Sequence, residues 1–326
     1  MRPIFHTELV NGDTGDPALF VDILFAGRAF LFDLGDLSAL APKKMLRLSA
    51  VFVSHAHMDH FIGFDRLLRV LLGRGKILSL FGPPGIARQV EAKLSAYTWN
   101  LVGNYASDLV FIVSELHQDG SCDKWAFSSR RAFRRESLGK TAIENGIILD
   151  ETFLTARFDF LNHEIPCLAY SIEEKMHANI WKNRLAELGL KTGPWLRNLR
   201  EAVIACAPDD AIIDAEGRKM RLGELWGAVR VVPGQKLSYV TDADYDAANL
   251  EKIADLADCS DILYIEAVFL DRDGEHAKSK HHLTAVQAGS IGKMARAKSI
   301  VPFHFSPRYS GMEDMLKREV CEAFSP

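Results

Sequence analysis

Short apolar runs recur along the chain and are separated by polar loops. Runs rich in Val, Ile, Leu and Phe that end at turn residues are typical of β-strands. They occur at residues 18–26, 28–34, 49–54, 77–81, 109–114, 153–160, 166–171, 237–241, 262–265 and 299–303. Apolar residues at helical spacing occur at residues 85–95, 246–257, 284–297 and 311–324. The sequence therefore predicts a mixed α/β fold.

One segment, residues 174–232, does not follow this alternation. It begins with an apolar stripe of helical spacing, continues through a Gly-Pro turn at 193–194 and then becomes polar and rich in Asp. We interpret it as an arm inserted between strands. The predicted organisation is one domain over residues 1–326, with 174–232 as its embedded arm.

The composition excludes several classes of protein. Of 326 residues, 48% are hydrophobic and 25% are charged, so the chain can bury a core and is neither disordered nor fibrous. The formal charge of −4 gives no overall attraction to nucleic acid, so a polyanion would have to bind at local basic patches. No apolar run approaches the ~20 residues of a membrane span, and we expect a soluble cytoplasmic protein. The five dispersed cysteines argue against a disulfide framework and against a cysteine-zinc site.

Five of the predicted strands end at, or just before, a residue that can bind a metal or transfer a proton. Side chains at strand ends project from a rigid sheet into the loop layer, where a site can be held in place. The residues at these ends are the cluster at 55–60, His163, Asp242, Glu266 and His304. We expect them to converge on one site.

The cluster at 55–60 has the pattern H-x-H-x-D-H. A single histidine at a strand end is more often structural than a ligand, but three imidazoles and a carboxylate this close would repel and desolvate one another in a core. His55 and His57 can face one cation, while Asp59 and His60 face a second. The remaining ligands come from the other strand ends, His163, Asp242 and His304. These donors suit Zn²⁺ and, with less preference, Mn²⁺ or Fe²⁺.

Several motifs along the chain resemble those of one enzyme superfamily. They are S-H-A-H-M-D-H at 54–60, N-H-E-I-P at 162–166, T-D-A at 241–243, E-A-V-F at 266–269, H-L-T-A-x-Q-A-G at 282–289 and H-F-S-P-R-Y at 304–309. In this order they resemble the metallo-β-lactamase superfamily and, within it, the ribonuclease Z branch of tRNA 3′ endonucleases. The resemblance covers about residues 18–310. The boxes at 282–289 and 304–309 are the ones more specific to ribonuclease Z and its phosphodiesterase relatives.

This resemblance implies an αββα four-layer sandwich with a binuclear zinc site at one edge of the two sheets. It implies a first zinc on His55, His57 and His163, a second zinc on Asp59, His60 and His304, and Asp242 as the bridge. Asp59 would also orient the attacking hydroxide.

The resemblance further implies that Glu266 and His282 protonate the leaving oxygen. A histidine held charged by a carboxylate is a suitable proton donor near neutral pH. The structural alternative is that Glu266 caps a loop and that His282 begins the 284–297 helix, with Thr284 as its cap. The neighbouring His281 is a competing candidate, and we interpret His6, His117, His177 and His276 as structural or solvated.

The resemblance also suggests where a nucleic acid binds. L-G-L-K-T-G-P-W-L at 188–196 resembles the protruding arm with which ribonuclease Z enzymes hold the tRNA elbow, and a second basic stretch lies at 124–140. The candidate substrate-binding residues are Arg130, Arg131, Arg134, Arg135, Lys191, Gly193, Pro194 and Arg308. An ordinary Gly-Pro turn and solvated basic faces are the alternatives. The Gly-rich L-G-T-G turn and the D-x-G-E-G-T-Q box of the family are altered here at 11–17 and 33–39, which bears on substrate recognition more than on metal binding.

We therefore predict a binuclear zinc phosphodiesterase that cleaves the 3′ trailer of precursor tRNA by attack of a metal-bridging hydroxide. As in the family it resembles, we expect a homodimer. One alternative keeps the site and changes the substrate to a cyclic nucleotide, another small phosphodiester or an aryl sulfate. Another alternative is a silent nucleic-acid-binding module, although the full ligand set argues against lost catalysis. The motif pattern argues against a true β-lactamase.

Overall fold

The computed structural model describes residues 4–24 and 26–325, so residue 25 of the predicted strand 18–26 and the ends of the predicted domain lie outside the described part. The strands are β1 (Phe5–Leu9), β2 (Leu19–Ile23), β3 (Arg28–Phe32), β4 (Leu48–Phe52), β5 (Lys76–Gly82), β6 (Leu109–Leu116), β7 (Ser121–Ser128), β8 (Arg135–Ala142), β9 (Ile147–Asp150), β10 (Leu154–His163), β11 (Ile165–Glu174), β12 (Met176–Ile180), β13 (Ile212–Ala215), β14 (Arg218–Arg221), β15 (Val229–Pro233), β16 (Lys236–Val240), β17 (Ile262–Glu266) and β18 (Ile300–Phe303). The helices are α1 (Pro42–Met45), α2 (Met58–Phe61), α3 (Phe64–Leu71), α4 (Ile86–Ser95), α5 (Lys182–Glu187), α6 (Leu196–Ile204), α7 (Leu222–Leu225), α8 (Ala247–Leu256), α9 (Gly274–Ser279), α10 (Ala285–Met294) and α11 (Glu313–Phe324). Each strand and helix predicted from the apolar pattern is present, with ends that differ by a few residues.

The chain forms two compact units. The larger unit contains residues 4–148, 157–171 and 237–325, and the smaller unit contains residues 149–156 and 172–236. Every residue of the predicted metal cluster belongs to the larger unit. Across residues 4–24 and 26–325, no helix has both the length and the apolar character needed to span a bilayer.

The larger unit contains an eight-stranded sheet in the order β1 to β8. Strands β3 to β6 are parallel, so their carboxyl ends lie at one edge of the sheet. Helices α3 and α4 bury Leu67, Leu71, Val90 and Leu94 in the apolar core of this sheet. Strands β7 and β8 extend it as an antiparallel hairpin, so the basic stretch at 124–140 lies in these two strands and in the turn 129–134 between them.

A second sheet has the order β18, β17, β16, β11, β10, β9. Strands β16, β17 and β18 are parallel and are connected through α8 and α10, as parallel neighbours require. These helices bury Ile253 and Ile291 in one core with Leu263 of β17. The carboxyl ends of β16 to β18 therefore also lie at one edge.

Aromatic side chains fill the space between the two sheets. The ring of Phe32 lies 5.3 Å from that of Tyr239, and the ring of Phe52 lies 5.4 Å from that of Tyr170. The hydroxyl of Tyr170 donates a 2.7 Å hydrogen bond to the carbonyl of Val53. With helices on the outer face of each sheet, the larger unit is an αββα sandwich, which confirms the predicted fold.

The smaller unit has an apolar core of its own. It consists of the antiparallel pairs β12–β15 and β13–β14 with helices α5, α6 and α7, and it buries Leu185, Leu199 and Leu222 completely. Its chain enters and leaves at neighbouring points, because the backbone N–H of Glu174 donates to the carbonyl of Gln235 at 2.9 Å. All of the residues predicted as an inserted arm, 174–232, belong to this unit.

Candidate metal centre

The structure brings together the residues at the ends of the five predicted strands. His55 follows β4, Asp242 follows β16 and His304 follows β18. His163 and Glu266 are the last residues of β10 and β17. Because the carboxyl ends of parallel strands share an edge, short strands of this kind place functional side chains close together.

Asp242 lies between two groups of imidazoles. Its Oδ2 atom is 3.3 Å from Nε2 of His163 and 3.5 Å from Nε2 of His55. Its Oδ1 atom is 3.0 Å from Nδ1 of His304 and 3.5 Å from Nε2 of His60. One carboxylate oxygen of Asp242 therefore faces each group.

Each group offers atoms close enough to share one cation. In the first group the ligand atoms, which all lie within 4.8 Å of one another, belong to His55, His57, His163 and Asp242. In the second group, under the same limit, they belong to Asp59, His60 and His304. Buried polar atoms normally have hydrogen-bond partners.

Three buried ring nitrogens of these groups have no hydrogen-bond partner among the described residues. They are Nε2 of His55, Nε2 of His60 and Nδ1 of His304. Imidazole nitrogens of this kind are preferred ligands of Zn²⁺. The donors and their orphaned nitrogens therefore fit a pair of divalent cations.

The carboxylate of Asp33, which is fully buried, fixes the orientation of two of these histidines. Its Oδ2 atom is 2.9 Å from Nδ1 of His60 and accepts hydrogen bonds from Ser54 Oγ and Tyr239 Oη, both at 2.8 Å. Since the Ser54 hydroxyl proton is used on Asp33, its oxygen can only accept from Nδ1 of His55, 3.1 Å away. Both imidazoles thus carry their proton on Nδ1 and turn Nε2 toward Asp242.

His163 is held in the same tautomer by the backbone. Its Nδ1 atom donates to the carbonyl of His281 at 2.7 Å, which leaves Nε2 for the site.

Four residues around the site have positive φ angles, which are uncommon for residues other than glycine. They are Asp33 (56°), Glu164 (56°), His281 (59°) and His304 (61°). Such conformations persist at functional sites because the surrounding packing determines them.

Charges within the site shift the pKa values of its groups in opposite directions. Burial, followed by the neighbouring His60, lowers the pKa of His55 to about 2. Burial disfavours a charge on His60 as well, but the carboxylates of Asp242 and Asp33 outweigh it and raise the pKa of His60. The same opposition between burial and Asp242 raises the pKa of His304 to about 9. The buried carboxylate of Asp242 therefore requires positive charge beside it, which a proton or a metal cation can supply.

Glu266 and His282 form a hydrogen-bonded pair at the same edge. Oε2 of Glu266 lies 2.8 Å from Nδ1 of His282, and Oε1 accepts from the backbone N–H of Ala243 at 2.8 Å. Burial lowers the pKa of His282, but the carboxylates of Glu266 and Asp242 together outweigh it, so the pKa is raised overall. Thr284 caps α10, as the structural alternative predicts, by accepting from the N–H of Gln287. The cap and the Glu266–His282 pair therefore occur together.

Sequence comparisons with known proteins identify the family to which this chain belongs. No family model matches the chain. A ribonuclease Z from Deinococcus radiodurans is 32% identical to it over 260 residues, which cover 78% of this chain and 75% of the relative. The chain belongs to the ribonuclease Z family. A ribonuclease Z from Treponema pallidum is 29% identical over 304 residues, with 91% of this chain and 83% of the relative covered.

Solved structures of low sequence identity share the fold of this ribonuclease Z family member. The short form of human tRNase Z matches with a TM-score of 0.54 and 17% identity, covering 94% of this chain and 92% of the human one. A metallo-β-lactamase fold protein from Bacillus subtilis matches with a TM-score of 0.55 and 16% identity, covering 97% of this chain and 92% of the other. The metallo-β-lactamase fold predicted from the motifs is thus confirmed.

A half-open cavity of about 320 Å³ lies beside the imidazole groups of this ribonuclease Z family member. It is lined by Asp59, His282 and His304 of the site, by Arg308, and by residues that the sequence analysis did not assign to it, among them Thr14, Asp16, Phe269, His276 and Lys280. His276 was interpreted as structural or solvated. The missed signal was the spacing of His276 and Lys280, which lie four residues apart just before His282.

The other candidate substrate-binding residues lie elsewhere. Arg130, Arg131, Arg134 and Arg135 are exposed on the β7–β8 hairpin, and none of them lines the cavity. Arg131 pairs with Glu136, and Arg135 pairs with Glu91 at 3.4 Å. The residues Lys191, Gly193 and Pro194 belong to the smaller unit.

Proposed function

We propose that this ribonuclease Z family member is a metal-dependent endoribonuclease that removes the 3′ trailer of precursor tRNA. The observation that carries the proposal is the position of Asp242, with one carboxylate oxygen facing each of two imidazole groups. That arrangement suits a pair of cations acting on a phosphodiester. The relatives from Deinococcus radiodurans and Treponema pallidum are named ribonuclease Z, and the human structure is a tRNase Z.

Two Zn²⁺ ions per chain are the proposed cofactors, with Mn²⁺ or Fe²⁺ as alternative occupants. His55, His57 and His163 would hold the first ion, and Asp59, His60 and His304 would hold the second. Asp242 would contribute one carboxylate oxygen to each group. When bound, such ions lower the pKa of a water molecule and neutralise charge on the phosphate oxygens.

Asp59 orients the attacking water in this proposal. Burial raises the pKa of Asp59, but its hydrogen bond with His304 and the charges of His60 and His304 together outweigh that effect, and the pKa is lowered overall. The ionised carboxylate is therefore an acceptor at neutral pH, and it lines the cavity in which a substrate is placed. It can accept a hydrogen bond from the water and point its oxygen at the phosphorus.

His282 donates the proton that the leaving oxygen needs. Loss of an alkoxide from a phosphodiester is slow unless the oxygen is protonated as the bond breaks. The Glu266 carboxylate keeps His282 protonated and fixes its ring through Nδ1, so Nε2 is the donating atom. The products are a 3′ hydroxyl on the tRNA and a 5′ phosphate on the trailer.

The smaller unit is proposed to hold the body of the tRNA through Lys191, Gly193 and Pro194. The turn that contains them is held by the indole N–H of Trp195, which donates to the carbonyl of Lys191 at 3.1 Å. Arg130, Arg131, Arg134 and Arg135 are proposed as a separate phosphate-binding surface. We also propose a homodimer, and light scattering coupled to size-exclusion chromatography distinguishes one chain mass from two.

The test is cleavage of an end-labelled precursor tRNA with a 3′ trailer, alongside a small chromogenic phosphodiester and the same preparation treated with a chelator. We expect a cut immediately after the discriminator nucleotide that disappears with the chelator and returns with Zn²⁺. Cleavage of the small diester alone would instead identify an enzyme for small phosphodiesters. No cleavage of either substrate by the metal-loaded protein would contradict the proposed reaction.

A further inference from the structure

One wall of the cavity beside the metal centre is basic and aromatic. The guanidinium of Arg308 lies 5.6 Å above the ring of Phe269, and the imidazole of His276 meets the same ring edge-on at 5.0 Å. Lys280 is the residue that follows α9, four positions after His276, and both side chains line the cavity. Phe269 itself is buried and serves as a fixed support for these groups.

The cavity carries charges of both signs, since Asp16 and Asp59 line it together with Lys280 and Arg308. Among residues 4–24 and 26–325, neither the Lys280 ammonium nor the Arg308 guanidinium forms an ion pair with a carboxylate. Neither residue belongs to the groups that can hold a metal. Two unpaired cations beside an aromatic ring are typical of a site that binds a phosphate from a ligand.

The position of His282 indicates which phosphate this is. His282 and Lys280 line the same cavity, and His282 is the proposed donor to the leaving oxygen. The nucleotide that carries the leaving oxygen therefore enters this cavity. In an RNA strand its next charged group is the phosphate on its own 5′ side.

We propose that Lys280, with Arg308 and His276, binds the phosphate on the 5′ side of the nucleotide whose 3′ oxygen leaves. This inference rests on the proposed function and makes it more specific, since a substrate must then carry two successive phosphates. A cyclic nucleotide or an aryl ester lacks the second one. Lys280 is a substrate-positioning residue that acts on binding of polynucleotides and not on the bond-breaking step.

The test uses the metal-loaded full chain and two precursor minihelices. One has an ordinary backbone, and the other has an uncharged methylphosphonate at the phosphate on the 5′ side of the discriminator nucleotide. Lys280→Gln should lower kcat/KM about tenfold on the ordinary RNA, through KM, because one charge-assisted phosphate contact is lost. On the methylphosphonate RNA the same substitution should change kcat/KM less than twofold, since the contact is already absent.

Lys278→Gln is the matched control, because Lys278 is exposed on α9 and does not line the cavity. The Lys278→Gln variant should cleave both RNAs and a small chromogenic diester at the wild-type rates. The Lys280→Arg variant should recover most of the kcat/KM that Lys280→Gln loses on the ordinary RNA. An equal loss for Lys280→Gln on both RNAs, or a loss on the small diester, would overturn the assignment. Failure of the wild-type protein to cleave both the ordinary minihelix and a full-length precursor tRNA would instead show that the proposed function is wrong, and the phosphate site with it.

Discussion

The Oε2 atom of Glu266 lies 2.8 Å from Nδ1 of His282, and the carboxylate that makes this contact is fully buried. Its second oxygen is held by the N–H of Ala243, so the carboxylate has a fixed position. Glu266, His282, Asp242 and His304 also offer atoms within 4.8 Å of one another. The pair can therefore act as a proton donor or contribute a metal ligand, and two substitutions separate these roles.

His282→Asn should slow precursor tRNA cleavage about 10²- to 10⁴-fold, the usual contribution of a general acid, and leave the metal content unchanged. The check combines single-turnover kinetics with metal analysis of the same sample. Loss of metal from this variant would show that His282 is a ligand. His281→Asn is the control, because asparagine tolerates the φ of 59° and the His281 side chain faces Asp244 and Glu164.

Glu266→Gln should move the alkaline limb of the pH profile to lower pH. The carboxylate raises the pKa of His282, so the wild-type histidine keeps its proton further into the alkaline range. With a neutral amide at residue 266 that pKa falls, and the acid is lost at a lower pH. The measurement is kcat/KM against pH for both proteins, with circular dichroism to verify folding. An alkaline limb that does not move would contradict the role given to Glu266.

Asp33→Asn should weaken zinc binding about 10- to 100-fold, the range for removal of a group that orients a metal ligand. Asparagine preserves the size and tolerates the positive φ of this residue, but it no longer offers a carboxylate to His60 and Ser54. Tyr239→Phe removes only one of the hydrogen bonds to Asp33 and should have a smaller effect. Competition with a fluorescent chelator measures both affinities. Wild-type zinc affinity in Asp33→Asn would show that these histidines do not depend on the carboxylate for their orientation.

Replacement of residues 176–233 by a short Gly-Ser turn should separate tRNA cleavage from the chemistry. The backbone of Glu174 is hydrogen-bonded to that of Gln235, so a short turn can join the two ends. We expect a large loss of precursor tRNA cleavage, because the removed segment is proposed to bind the body of the tRNA. Hydrolysis of a small chromogenic diester, which does not need that segment, should stay within about threefold of the wild-type rate. Equal loss on both substrates would mean that the segment supports the larger unit.

The fold of the larger unit and the main groups of its site follow from local sequence patterns. Each strand that carries a functional residue is an apolar run, and the residue stands where the run ends, as for His55, His163 and His304. The orientation of those side chains is not local. Tyr239 reaches Asp33 across 206 positions of the chain, and such a contact leaves no periodicity in the sequence.

Other features were missed because their sequence signals are ambiguous. A basic run such as 124–140 is compatible with a solvated loop or with an edge strand, and only pairing with β7 makes its last part, from Arg135 onward, the strand β8. The cavity wall of His276 and Lys280 depends on where α9 packs beside Phe269. The positive φ angles of Asp33, His281 and His304 result from tertiary packing that overrides local preference.

The most direct test of the account is the metal content of the purified protein and of Asp242→Asn, measured by mass spectrometry after dialysis. The carboxylate of Asp242 faces both imidazole groups, and an amide of the same size offers only one ligand oxygen. We predict about two ions per chain in the wild type and one or fewer in the variant, as expected for a paired-cation site that shares a carboxylate. Two ions per chain in Asp242→Asn would contradict the claim that this residue joins the two sites.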